Sequence, residues 1–343
     1  MQRRRFLQSA LCALAGAAAA PSRAGAGIAQ PCFATRRILY VLGQFGAGTP
    51  EAMRSAADTL GNSSFNVIVL AFLQASMSAG KLGLSWNGNA FPALAPEVPA
   101  LMARLRSGHG GRKRLMLSIG GWGSTANFEA IRSFGIPAFV QQLTQEVIGP
   151  LGIEGIDLDP EPSQGGMDQW LNVHREYGKT LIDLTNEYKR VHPTHFVTHS
   201  PIAEVAAEFY AKGTALTSQM TSLLGATRAN GGNAIDWLNV QFYEGGLIEN
   251  GDIAGFYRDS LAAPLLGRRA QTGIANPMRF FTPLFEPQAK QPLAFCQETI
   301  AAIDRRCADL NAGRLTGVGL WDYRQVAPKI DDWSNGLDAA LHP

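Results

Sequence analysis

Eight short apolar runs recur along the chain, and their spacing restricts the folds open to it. They are Arg37–Leu42, Phe65–Phe72, Arg114–Ile119, Ile153–Leu158, His195–Ser200, Trp237–Tyr243, Ala270–Ala275 and Thr316–Trp321. Each is nearly continuous in hydrophobicity, as expected of a strand buried on both faces. Helical patterns lie between them. Thr49-Pro50-Glu51 opens one with a cap and an N1 proline, and Gly61 closes it. Others run over Pro96–Arg106, Gly135–Ile148, Met167–Val191, Glu204–Leu224, Ile253–Leu261 and Leu293–Asn311. Eight strands alternating with helices predict an α/β fold, a closed (β/α)8 TIM barrel in a single domain. A doubly wound sheet is the alternative, but Gly43, Gly46 and Gly48 lack the dinucleotide-binding spacing. In such a barrel, function sits at the carboxyl ends of the strands.

Residues 1–26 stand apart from this pattern. Arg3-Arg4-Arg5-Phe6-Leu7 precedes an apolar, alanine-rich run from Ala10 to Ala20, and small residues Ala24-Gly25-Ala26 follow. A charged head, an apolar middle and a small-residue end read as an export signal. The arginine pair before Phe6-Leu7 resembles the twin-arginine type, with an ordinary secretory signal as the alternative. Residues 27–343 are then the barrel, exported to the periplasm or beyond. Cleavage removes Arg3, Arg4, Arg5 and Arg23, leaving 26 basic against 28 acidic residues where the whole chain has 30 against 28. Nothing in that balance favours nucleic acid or an anionic membrane as partner. Cys32, Cys296 and Cys307 remain, so at most one internal disulfide can form. Cys296 and Cys307 on one helix would stand about 16 Å apart, too far to bridge. A bridge from Cys32 and three buried thiols are both open.

The fourth run ends Glu154-Gly155-Ile156-Asp157-Leu158-Asp159-Pro160-Glu161. Asp157, Asp159 and Glu161 are spaced by two and share one face of a strand. Crowded like charges raise the pKa of at least one member, which is how a carboxyl stays protonated near neutral pH and acts as an acid. Glu154 has the opposite parity and is read as structural. An internal ion-pair network or a divalent-metal site are competing readings of three acids in isolation.

The third run ends Leu117-Ser118-Ile119-Gly120-Gly121-Trp122. From here the chain resembles the family-18 glycoside hydrolases, the chitinase family. Ser118-x-Gly120-Gly121 is similar to that family's third-strand motif, and Glu154 to Glu161 to its fourth-strand acidic motif. Gln241-Phe242-Tyr243 and Gly319-Leu320-Trp321 match further positions, so the resemblance runs in barrel order from about Ile38 to Trp321. It implies that Glu161 protonates the glycosidic oxygen while the substrate's own N-acetyl oxygen attacks the anomeric carbon, a substrate-assisted exception to the two-carboxylate scheme. Asp159 would orient the acetamido group and share a proton with Asp157. Tyr243 would hydrogen-bond the acetamido oxygen, and Trp321 would floor the distorted sugar. Gln241, Ser118, Gly120, Gly121 and Trp122 complete the expected substrate-binding set. No metal and no cofactor is implied. The partner is a polysaccharide or oligosaccharide containing N-acetylglucosamine, met by a monomer. Endo-cleavage of N-glycan cores is the nearest alternative, and a non-catalytic sugar-binding barrel the other, although such relatives usually lose the terminal glutamate.

The sequence departs from the family pattern at Glu154, where an aspartate is usual, at Pro160 between two site carboxylates, and at Glu244 after Tyr243. The short spacing before the eighth run implies that the inserted α+β domain of many bacterial relatives is absent. Trp86, Trp122 and Trp170 are candidate stacking platforms, with packing as the alternative; Trp237 is read as core. Tyr323 and Arg324, just after Trp321, are read as lining the mouth. His192, His195 and His199 cluster near the fifth strand, more as satisfied histidines than as metal ligands.

Overall fold

The computed structural model describes residues 35–43, 50–86, 89–90, 98–213, 234–243, 251–287 and 291–343. Residues 1–26, which the sequence pattern reads as an export signal, lie outside these residues, as do Cys32 and Glu244. Eight parallel strands form the barrel: β1 (Arg36–Leu42), β2 (Val67–Ser78), β5 (Arg114–Gly121), β6 (Gly155–Pro160), β7 (Phe196–His199), β8 (Trp237–Gln241), β9 (Phe281–Phe285) and β10 (Gly317–Leu320). Pairing of β1 with both β10 and β2 closes the sheet. The remaining strands, β3 (Lys81–Trp86) and β4 (Asn89–Ala90), are antiparallel additions beside β2.

Strand parity separates two cores. Leu39, Val41, Ile156, Leu158, Leu238 and Val240 face outward into the layer between barrel and helices. Ile38, Tyr40, Val67, Val69, Met116, Phe196 and Trp237 face inward and fill the barrel. Alternation with a period of two produces this division. It also sends Asp157 and Asp159 inward, since their neighbours Ile156 and Leu158 point out. The outer helices include α1 (Pro50–Asn62), α2 (Val98–Ser107), α3 (Thr125–Phe134), α4 (Met167–Val191) and α5 (Leu293–Arg306). The helix α4 keeps the bounds its periodicity predicts. Its acidic start at Asp168 and its Lys189-Arg190 end suit the helix dipole.

Three expectations are corrected. The seventh strand is Phe281–Phe285, and residues expected in that role, Ala270–Ala275, instead begin within a short helix, Arg269–Thr272. The second strand does not stop at the barrel rim. It continues to Ser78 and turns back through Ala79 and Gly80, both at positive φ, into β3. Leu82, Leu84 and Trp86 bury one face of this hairpin in the outer core. The predicted helix Gly135–Ile148 is Ile136–Leu143 continued by a π-turn over Thr144–Ile148, and α3 before it was not predicted. Between β9 and β10 the described chain holds α5 and a single 3-10 turn, Ala308–Leu310, so no domain is inserted there. Among the described residues no helix is long and apolar enough to cross a membrane.

Candidate active site

Asp157 sits at the centre of the barrel, fully buried. Its register partners Ser118 and Thr198 place hydroxyls on either side. Thr198 donates to Oδ1 at 2.5 Å and Ser118 to Oδ2 at 2.8 Å. Ser200 lies 2.8 Å from both oxygens, and Asn239 Nδ2 donates to Oδ1 at 3.1 Å. Tyr40 donates to Oδ2 at 3.0 Å and itself accepts from Asn239 at 2.9 Å. Burial, then the charges of Asp157 and Asp159, push the Tyr40 hydroxyl well above the usual phenol range, which keeps it a donor. Trp237 Nε1 fixes the far end of the Asn239 amide at 2.8 Å. The carboxyl group is thus surrounded by neutral donors, and among the described residues no cation pairs with it.

Asp159 is one strand pair higher, 3% exposed. Its carboxyl is held well above the usual carboxylate range by burial first, then by the charges of Glu161 and Asp157 and a hydrogen bond with Glu161. Gln241 Nε2 lies 3.0 Å from Asp159 Oδ1, 3.1 Å from Glu161 Oε1 and 2.9 Å from the Ser200 carbonyl. Three oxygens around one nitrogen fix the amide orientation, and Gln241 Oε1 is left buried without a hydrogen-bond partner. Glu161 lies just past the strand end, half-buried. Its backbone N–H donates to Ser124 Oγ at 3.1 Å, and its carbonyl accepts from the Ser124 N–H at 3.1 Å. That clasp substitutes for the donor Pro160 lacks beside it.

Above these acids opens a cavity of about 150 Å³. Asp159, Glu161, Gln241 and Tyr243 give it a polar side, while Trp122, Trp321, Tyr40, Phe72 and Leu284 give it an apolar one. Trp321 stacks on Phe72 at 5.3 Å between centroids and meets Tyr40 edge-on at 5.8 Å. Trp122 is 58% exposed, an uncommon state for so large an apolar ring.

The structure therefore brings Asp159, Glu161, Gln241, Tyr243, Trp321 and Trp122 to one cavity, with Asp157 beneath it. Ser118, Gly120 and Gly121 do not line it. Ser118 serves Asp157, and the two glycines are needed for close approach. A Cβ on Gly120 would stand 2.0 Å from the Asp159 carbonyl oxygen, and one on Gly121 2.6 Å from the Phe72 ring. Hydroxyl and amide donors surround Asp157, and Asp159 bonds to Glu161 while also feeling the charge of Asp157. Tyr40, Phe72 and Leu284 were missed. Inward parity in the first strand marks Tyr40, and position at a strand end marks Phe72. No comparable signal marks Leu284, whose strand was misplaced.

Elsewhere, Glu154 pairs with Arg112 and Arg114, a structural role as its parity predicts. Trp86 and Trp170 are buried, and Trp86 donates to the Ala71 carbonyl at 3.0 Å, so neither is a platform. Tyr323 is buried and Arg324 pairs with Asp322. His192 and His195 stack at 4.6 Å, while His199 contacts Thr185 and Tyr210. Among the described residues no cluster of His, Cys, Asp or Glu could hold a metal ion. Cys296 and Cys307 are buried free thiols.

A closed barrel with a carboxyl chain rising from its fourth strand into an aromatic-walled mouth defines a class: the chain has a glycoside hydrolase fold. More narrowly, it is the fold of family-18 chitinase catalytic domains. The C-terminal domain of Legionella pneumophila ChiA is 14% identical with a TM-score of 0.54, covering 90% of this chain and 98% of that one. The catalytic domain of a family-18 chitinase from the fern Peteris ryukyuensis is 16% identical at 0.50, covering 90% and 99%. That of a hyperthermophilic chitinase from Pyrococcus furiosus is 12% identical at 0.50, covering 84% of each. No family model matches the chain, and no curated protein matches it in sequence.

Proposed function

We propose that this protein is an exported glycosidase that hydrolyses β-1,4 linkages beside N-acetylglucosamine, in chitin or its oligomers. The observation that carries the reading is the hydrogen-bonded Asp159–Glu161 pair at the cavity floor, with Gln241 bridging both carboxyls. Two crowded acids on one amide hold a proton where a glycosidic oxygen can receive it. Glu161, the more exposed member, donates that proton to the leaving oxygen as the C1–O bond breaks. The acetamido carbonyl oxygen of the same sugar forms a bond to C1, giving an oxazolinium-like cation. Asp159 accepts the acetamido N–H and balances the positive charge, Tyr243 donates to the acetamido oxygen, and Trp321 supplies a dry apolar floor. Water then gives its proton to Glu161 and its oxygen to C1, reopening the ring with retained configuration.

Export rests on the Arg3–Leu7 pattern and the apolar run behind it. With no domain inserted between β9 and β10, the groove is open at that side, which suits cleavage within a chain. Predominantly single-sugar release in a product time course would refute this. The deciding experiment compares wild type with Glu161→Gln on a chromogenic chitobioside and chitotrioside. Wild type cleaves and the variant does not. Binding of chitooligomers by wild type with no cleavage would make the barrel a lectin, and equal cleavage by both would remove Glu161 as the acid.

A further inference from the structure

A second cavity, of about 220 Å³, lies at the opposite end of the barrel, where the chain enters β5 and β6. Arg106, Arg112, Lys113, Gly152 and Glu154 line it. Lys113 is the unusual member, 1% exposed. Its Nζ donates to the carbonyl oxygens of Ser63 and Gly110, the second at 3.1 Å. An ammonium has three protons, and the third finds no acceptor among the described residues. No carboxylate pairs with it there either. Glu154, the acid in the wall, is held by Arg112 at 3.2 Å and by Arg114. Burial, then the charge of Arg37, pulls the Lys113 ammonium down to about 8. A buried cation without a counter-ion is costly unless something neutralises it.

The surroundings supply further donors. Arg106 is anchored through Nη2 on the carbonyls of Leu151, at 3.1 Å, and Gly152, which leaves its other N–H groups available. Arg112 reaches in from the rim, its side chain 74% exposed. Three cations thus line the cavity with one carboxylate, which Arg112 and Arg114 hold. A water occupies about 30 Å³ in the liquid, so the cavity accommodates one tetrahedral oxyanion with a few waters.

We propose that this cavity binds a small oxyanion of the phosphate or sulfate type, held by Lys113, Arg106 and Arg112. Charge-assisted hydrogen bonds from guanidinium and ammonium groups are the usual means of holding such an ion. The site is separate from the cleft and does not depend on the activity assigned to it.

The test titrates inorganic phosphate into the purified protein at constant ionic strength, reading 31P line broadening and the thermal unfolding midpoint. Wild type shows saturable broadening and a rising midpoint, and chloride at the same ionic strength gives neither. Arg112→Gln, at an exposed position, weakens binding about tenfold, and Lys113→Met removes the saturable response. Should Lys113→Met fail to fold, Arg106→Gln takes its place and also weakens binding. A phosphate response equalled by chloride, or saturable binding unchanged in Arg112→Gln and in the second variant, overturns the proposal.

Discussion

Asp159 is hydrogen-bonded to Glu161, and its own proton affinity is raised by burial first and then by that neighbour's charge. In the proposed mechanism the two carboxyls would act as one acid with two sites, a proton passing between them without crossing solvent.

Glu161→Gln keeps the amide contact to Gln241 but cannot deliver a proton. We expect kcat on a chitotrioside to fall by about 10²–10⁴-fold, with oligomer binding retained. Steady-state kinetics alongside calorimetric binding checks both parts.

Asp159→Asn tests the raised acid through stability. A carboxyl whose folded value lies above its unfolded value favours the fold below the unfolded value, and that contribution is lost as pH rises through the folded one. Above that point wild type keeps a desolvated charge in a crowded site, and the asparagine does not. The variant should be inactive yet unfold at higher temperature than wild type at neutral and alkaline pH, with the gain vanishing near pH 4. A midpoint lower than wild type across the whole range contradicts this.

The hydroxyls around Asp157 should matter to stability before they matter to substrate. Thr198→Val or Ser200→Ala each strips donors from a buried carboxylate, at a cost of about 1–3 kcal/mol. Denaturant titration measures it, and a change under 0.5 kcal/mol, about the size of a neutral surface substitution, would mean the shell is not needed.

Trp122 offers its ring to the mouth. Trp122→Ala should raise KM about 2–10-fold for long oligomers, the scale of one aromatic contact. The effect on a chitobioside should be smaller, and kcat should change little on either.

Buried histidines set acid tolerance. Burial pulls His174 down to about 4 and His199 to about 3. Such neutral imidazoles contribute stability above their unfolded value, and it is lost as pH falls through the folded ones. Between about pH 6 and 4 the unfolded chain binds about two more protons at these positions, so these two sites alone should lower stability by roughly 3 kcal/mol per pH unit. Unfolding free energy measured across that range checks the slope.

Most of the barrel was legible because strands buried on both faces leave continuous apolar runs, and the acidic face at Asp157, Asp159 and Glu161 followed from parity alone. The seventh strand was not legible because Pro283 interrupts Phe281–Phe285, and proline argues against a central strand. It is tolerated because β10 meets β9 only at Leu284 and Phe285. The hairpin was hidden by its Ala79-Gly80 turn, which lacks the usual asparagine-glycine signal. Residues such as Thr198, Ser200 and Asn239 carry no motif. Their importance appears only when three strands bring them to one carboxylate.

That shell has an electrical consequence. An arginine or lysine beside Asp157 would have cancelled its charge. Hydroxyls and an amide solvate it and leave its field standing, like a permanent hydration layer built from side chains. The negative potential of Asp157 reaches Tyr40 and Asp159 at the cavity, from a depth that dissolved ions do not reach. Whatever cation develops at the mouth meets a negative potential that salt does little to dilute.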